Sequence, residues 1–347
     1  MFTGVCAGPI VIRAEGVTLQ GVGEAIIDGG GHDAVTVAGA SRVSLDGIEV
    51  RNGLNGIVAV NGAHLSLNNL NVHHSLASGI SIQTGSSVVL TEVTTAHNGL
   101  HGLDVHSGSA ATVNGALNAT GNRVFGLNVN GSSITFAQAT VSATGNALGI
   151  QIATNGNAFL ADADSVINAN NNLATGLTIV SGAHLVSFGG TINASGNPAV
   201  GVSVNSKSGL DLDAASTLNS FNNGDGVLIQ QNSVMTVFNT PQFSGAPGFS
   251  TINANNNTRT GVRVLTDAVL TLVNQARVNS NQNGTTGFVA DNGAGVTLVN
   301  STVSGNTAVD IQLTFGVRAD LRTLTFGSYT CDATVLVRGT SGITCPH

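Results

Sequence analysis

The chain has 347 residues, of which only 8% are charged, with no tryptophan and a net charge of −7. A single lysine, Lys207, and few arginines exclude nucleic acid as a natural partner, and argue against tight binding of a polyanion unless a metal bridges the two. Mean hydropathy is +0.26, yet no apolar run approaches the ~20 residues of a membrane-spanning helix.

The opening stretch MFTGVCAGPI lacks the basic and apolar regions of a signal peptide and enters an apolar alternation at once. Ile10, Ile12, Val17, Leu19, Ile26 and Ile27 are expected to form a first coil, with a glycine corner at Gly29, Gly30 and Gly31. No capping helix is visible here, which leads us to expect natural sequence upstream of this start.

From residue 34 to 149 the pattern is most regular. Asn98 is followed by Gly102 and the apolar Leu103 and Val105; Asn122 is followed by Gly126, Leu127 and Val129. The phrase returns at Asn197, Asn257 and Asn283. Gly56, Gly79, Gly102, Gly126, Gly149, Gly176, Gly201 and Gly226 mark a period of roughly 23 to 27 residues, with a wider gap before Gly261 and then Gly287. Each period holds three short alternating runs, such as residues 57–60, 64–68 and 70–72, broken by Asn-Gly or Ser-Gly. Period-2 alternation with β-branched residues reads as strand and turn, and helical spacing never persists. One such coil cannot bury its apolar side alone, so stacking is required.

The stretch from 150 to 225 is plainer. Asp211 and Asp213 are expected to point the same way from one strand, about 6.7 Å apart. Calcium is the one cofactor weighed there; solvated surface charge is the preferred reading, because no third acid lies in register. The long coil between Gly226 and Gly261 is expected to carry a lateral loop at 240–251. Beyond Asp310 the pattern frays, and 311–347 is expected to be an irregular end closed by a Cys331–Cys345 loop. Cys6 lies many coils away, beyond the ~7 Å Cα separation of a disulfide, and is expected either to be unpaired or to pair with a residue outside this chain.

The recurring Asn has a physical use. It tolerates a left-handed backbone, and its amide can bond the Asn stacked above it; glycine is expected to supply positive φ at the corners. In these features the chain resembles the right-handed parallel β-helices of the pectate-lyase-like class, which carry a stacked asparagine ladder. The resemblance implies an all-β fold: a single right-handed parallel β-helix domain spanning 1–347, with about 13 coils between residues 9 and 310 and three short strands per coil.

Six of the nine histidines lie between positions 64 and 106. Registering coils on the Asn position puts Arg51, His74 and His97 in one column at the corner. On the next strand Leu103 and Val105 face in, so Asp104 and His106 face out, with Gln83 and Asn130 flanking His106 and Ser81 and Asn128 flanking Asp104. His101 sits between the two groups. A histidine near its ordinary pKa of ~6.5 can take or return a proton at neutral pH, and a neighbouring Asp can orient it. The string Gly102-Leu103-Asp104-Val105-His106 resembles the Asp-Pro-His motif of the mannuronan C5-epimerases, with Val105 where that family has proline. The resemblance implies Asp104 and His106 as catalytic candidates, with His97 beside them. Arg51, His74, His101, Gln83, Asn128 and Asn130 are the substrate-binding candidates. The alternative is that these are merely polar choices at outward positions.

The expectation is an extracellular or surface protein that binds or processes polysaccharide along its lateral face, lyase- or epimerase-like if it is an enzyme. A non-catalytic structural or adhesive solenoid is the competing expectation. No resident metal is expected beyond the calcium considered above, and the sequence sets no oligomeric state.

Overall fold

The computed structural model describes residues 1–240 and 248–346. The expected loop at 240–251 therefore falls largely outside the described residues. The described residues are all β, with no helix among them. The chain divides into two compact units: Met1–Phe159 with Ser165–Asn168, and Leu160–Asp164 with Ala169–His347. Each is a parallel β-solenoid.

In the first unit, one strand of every coil stacks on its counterpart in the next. These are Ile10–Ile12, Val35–Ala38, Ile57–Val60, Ile80–Ile82, Leu103–His106, Phe125–Asn130 and Leu148–Ala153, all paired in parallel. The second unit has the same series: Thr175–Val180, Val200–Val204, Asp225–Gln230, Val262–Leu265, Thr286–Asp291, Val309–Leu313 and Tyr329–Cys331. The two series agree with the expected count of about 13 coils.

The expected second and third strands of each coil are separate in much of the second unit, as in His184–Phe188 and Thr191–Asn193. In the middle of the first unit they fuse into single bent strands, His64–His73, Ser87–Ala96, Ala110–Thr120 and Ser133–Thr144. One residue at positive φ makes each bend: Asn69, Glu92, Gly115 and Gln138. A single left-handed residue turns the chain while the ladders on both sides continue.

The coils also reach further than the pattern suggested. Phe2–Ala7 pairs with Thr18–Asp28. Tyr329–Cys331 pairs with Val309–Leu313, and Leu336–Gly339 with Arg318–Phe326. The solenoid thus continues as far as Gly339, with the Cys331–Cys345 disulfide tying down the segment that follows. Past residue 310 the chain loses the Asn-Gly signature but keeps inward positions such as Leu321 and Val335, and those decide strand formation. Cys6 is free and exposed.

The core is the inward column of each strand. Leu103, Val105, Leu127 and Val129 are fully buried, between outward residues that are not. Each contributes about 1.5–3 kcal/mol in apolar burial.

The asparagine ladder runs inside the corner. In the first unit Asn98 donates through its backbone N and Nδ2 to Asn122 Oδ1 (3.1 and 2.9 Å), and Asn122 does the same to Asn146 (2.8 and 3.1 Å). In the second unit the ladder runs Asn172, Asn197, Asn223, Asn257, Asn283, Asn306. One expectation needs correction here. The ladder asparagines do not take positive φ; the residue before each does, as at His97 (53°), Gly121 (64°) and Asn256 (57°). Glycine supplies positive φ at several corners, as expected, at Gly121, Gly145 and Gly196 among them, but the glycines that mark the repeat do not. A Cβ on Gly102 would lie 2.6 Å from Gly126 O and 2.8 Å from Asn122 Nδ2, so glycine is needed there for close approach of the next coil.

Candidate functional site

Two groups of candidates occupy different places on the first unit. The corner group is off register by one residue. Arg51 pairs with His73, and His73 with Ala96, so Arg51 does not share a column with His74 and His97. In Arg51's coil the left-handed slot is filled by Asn52 (φ 54°), as His74 (55°) and His97 (53°) fill it in theirs. Treating Asn52 as the ladder residue displaces Arg51 by one, because Asn suits both the ladder and the left-handed slot.

Arg51 is consumed by ion pairs, with Nε 3.1 Å from Asp28 Oδ2 and Nη1 3.1 Å from Glu49 Oε1. Hydrogen bonds from Asn52 and then Arg51 hold the Asp28 carboxyl below its ordinary pKa. Glu49 also lies 3.3 Å from His73 Nε2. His73 Nδ1 and His74 Nδ1 share a hydrogen bond at 2.7 Å, one ring donating and the other accepting. The rings of His74 and His97 follow, with centroids 5.7 Å apart. Asp28, Glu49 and His73 were not anticipated; a register one residue different would have placed all three beside Arg51. Among the described residues, no group of three or more His, Cys, Asp or Glu side chains is arranged to hold a metal ion.

The second group is the strand Leu103–His106 and its neighbours. Asp104 stacks between Ser81 and Asn128, and His106 pairs with Asn130. Asp104, His106, Asn128 and Asn130 line one open depression of about 490 Å³, with Ser107, Gly131 and Thr154 completing its wall. Gln83 is not in that wall. Asn128 donates to Asp104 Oδ1 at 2.8 Å, and Gln151 donates to Asn128 at 3.4 Å. His106 Nε2 lies 3.8 Å from Asp104 Oδ2 and 3.4 Å from Ser81 Oγ, while its Nδ1 is 3.0 Å from Ser107 Oγ. Asp104 and His106 are therefore neighbours, but the gap between them is longer than a hydrogen bond.

His101 stacks on Phe125, with ring centroids 5.2 Å apart. Burial pushes its pKa down, partly countered by Asp104, while His106 adds to the fall. Its Nδ1 is buried without a hydrogen-bond partner in the protein. That environment suits a neutral packing ring better than a ring that meets substrate.

In the second unit the two aspartates weighed for calcium part company. Asp211 lies 3.1 Å from His184 Nε2 and raises its pKa through that hydrogen bond. Asp213 is buried instead, its oxygens accepting from the backbone N of Ala214 and from the backbone N and Oγ1 of Thr240 (2.6, 2.7 and 2.9 Å). It ends its strand, Gly209–Asp213, and turns in to satisfy the corner, so strand alternation does not carry it outward. The His184–Asp211 pair went unread because the two residues lie far apart in sequence and meet only through coil stacking, as His184 pairs with Gly209. A Cβ on Gly209 would lie 2.4 Å from His184 Cδ2, so this glycine makes room for the imidazole.

No family model matches the chain, and no curated protein and no solved structure was found to match it.

Proposed function

We propose that the first unit binds an extended polysaccharide along its lateral face, seated in the depression formed by Asp104, His106, Asn128 and Asn130. The observation that supports this reading is that side chains of two stacked coils, Asp104 and His106 from one and the largely buried Asn128 with Asn130 from the next, line one open concavity. Amide, imidazole and carboxylate groups spaced by the coil repeat of about 4.8 Å match the hydroxyls of a chain lying along the stack. Within that reading the chain is an exported protein of the pectate-lyase-like class, in keeping with the Cys331–Cys345 disulfide, which belongs to oxidising compartments.

Binding is favoured over turnover. Removing the C5 proton of a uronate needs a base in reach and a cation against the carboxylate. His106 is available as the base, but the wall of the depression contains no arginine or lysine. Lyase or C5-epimerase chemistry at Asp104 and His106 is therefore the narrower form of the proposal. The competing reading is a non-catalytic structural solenoid, supported by the 3.8 Å gap that separates the Asp104 and His106 side chains.

A glycan array, with turnover assays on neutral and uronate polymers with and without calcium, tests these readings. Wild type is compared with Asp104→Ala/His106→Ala and with Asn128→Ala/Asn130→Ala. Binding that falls at least ~10-fold in the amide double variant supports the site. Unsaturated product or C5 proton exchange lost in Asp104→Ala/His106→Ala supports the enzyme. A folded protein that binds no glycan leaves the structural reading standing.

A further inference from the structure

The second unit carries a depression of about 590 Å³ on the strand face built from Val269–Leu272, Gly295–Val303, Arg318–Phe326 and Leu336–Gly339. Two outward columns cross it. Val269, Gly295, Arg318 and Leu336 stack in register as one. Thr271, Thr297, Asp320 and Arg338 stack as the other. The hollow lies where Gly295 has no side chain between Val269 and Arg318.

Charge is concentrated here against the trend of the molecule. Asp320 is paired with Arg322. Among the described residues, neither Arg318 nor Arg338 has a carboxylate within ion-pair distance, although Arg338 stacks directly on Asp320. Three guanidinium groups therefore meet one carboxylate, in a protein of net charge −7. Guanidinium groups pair with oxyanions through parallel N–H donors. Arg318 and Arg338 come from adjacent strands and adjacent columns, and both line the depression. A phosphate or sulfate ester offers three free oxygens to the two guanidinium groups, where a carboxylate offers two. The hydroxyls of Thr271 and Thr297 lie along one side, and the apolar surface of Val269 and of Leu336, 47% exposed, lies along the other.

We propose that this depression binds the phosphate or sulfate ester group of a polyhydroxy compound, with Arg318 and Arg338 on the oxyanion. The threonine hydroxyls meet the ligand's hydroxyls, and Val269 and Leu336 meet the C–H face of its ring. The site is independent of the depression in the first unit.

Isothermal titration calorimetry with glucose 6-phosphate, glucose 6-sulfate, glucuronate and glucose tests it, on wild type, Arg318→Gln/Arg338→Gln and Gly295→Val. Both arginines are exposed, so their replacement leaves the core intact. Gly295 lies in a strand without positive φ, and a Cβ there meets Val269 Cγ2 at 3.6 Å, an ordinary contact, so valine fills the hollow without straining the backbone. The expected result is binding of one or both esters, weakened by added salt and reduced at least ~10-fold in each variant. The phosphate and sulfate arms show which ester is preferred. Esters that bind no better than glucose, or equally well to the arginine double variant, overturn the site. Glucuronate bound as tightly as the esters overturns the tetrahedral assignment. Asp104→Ala/His106→Ala leaves this binding unchanged, which separates its failure from failure of the first-unit site.

Discussion

Asp310 ends the asparagine ladder of the second unit. Every ladder Asn donates to the Oδ1 of the Asn in the next coil, so the last one, Asn306, needs a different acceptor. Asp310 Oδ1 accepts from Asn306 N and Nδ2 (3.1 and 2.8 Å), and Oδ2 accepts from Gly327 N and Ser328 N (2.7 and 3.1 Å). Burial raises its pKa, but those hydrogen bonds outweigh burial and leave it below the ordinary value. A carboxyl depressed in the folded state contributes stability that is present above its unfolded pKa of ~3.9 and is lost as pH falls through the folded pKa. Acid unfolding of the wild type is therefore expected to steepen below about pH 4. Asp310→Asn should remove that part of the acid dependence and cost about 1–3 kcal/mol at neutral pH, since an amide puts an NH2 donor where the carboxylate has its second accepting oxygen. Denaturant melts at several pH values measure both effects. His184 carries the opposite sign. Asp211 raises its pKa, so its contribution is full below the unfolded value of ~6.5 and disappears as pH rises through the folded one. NMR titration should show the His184 pKa falling toward ~6.5 in Asp211→Asn; an unchanged titration would disprove the pairing.

At the scale of the coil element, the corner is built from three successive roles: a left-handed residue, a ladder Asn and a glycine that admits the next coil. The first role tolerates variety, since His97, Gly121, Asn171 and Gln282 all fill it. The other two vary less, with Ser75 in the ladder position after His74 and Asp310 opposite Gly287 as the departures. Asn122→Ala strands the buried Asn98 N and Nδ2 without their acceptor, at about 1–3 kcal/mol for each donor. Gly102→Ala forces a Cβ to 2.5 Å from Thr95 Oγ1 and 2.6 Å from Gly126 O, an overpacking that costs about 1–3 kcal/mol. Equilibrium unfolding of the two single variants and the double variant is expected to give a non-additive result, because both act on the same amide ladder. The buried Asp225 forms the other polar knot of the second unit, with Arg259 and Arg263 both 3.1 Å away. Asp225→Ala leaves two arginines without their shared partner and is expected to be more damaging than either arginine replacement.

At the scale of the whole molecule, stacked coils touch their neighbours alone, so stability is close to a sum of local terms. Reducing Cys331–Cys345 should therefore loosen the last strands, Arg318–Phe326 and Leu336–Gly339, and leave core strands such as Leu103–His106 unchanged. Hydrogen exchange with and without reductant distinguishes this from global loosening. The repeat period, the inward columns and the asparagine ladder could be read from the sequence, because each is a local preference repeated coil after coil. The outward direction of Asp104 and His106 followed from the same alternation. What required the tertiary structure was register and turning at the corners. A shift of one residue exchanged His74 for His73 beside Arg51, and the end of a strand turned Asp213 inward. The hollow at Gly295 and the pair His184–Asp211 depend on which side chains stack across coils roughly 20 to 25 residues apart. Coil length is not constant, running from the short step Arg318–Leu336 to the long step Leu218–Ile252, and that variation decides which distant side chains become neighbours while leaving the local pattern of each strand untouched.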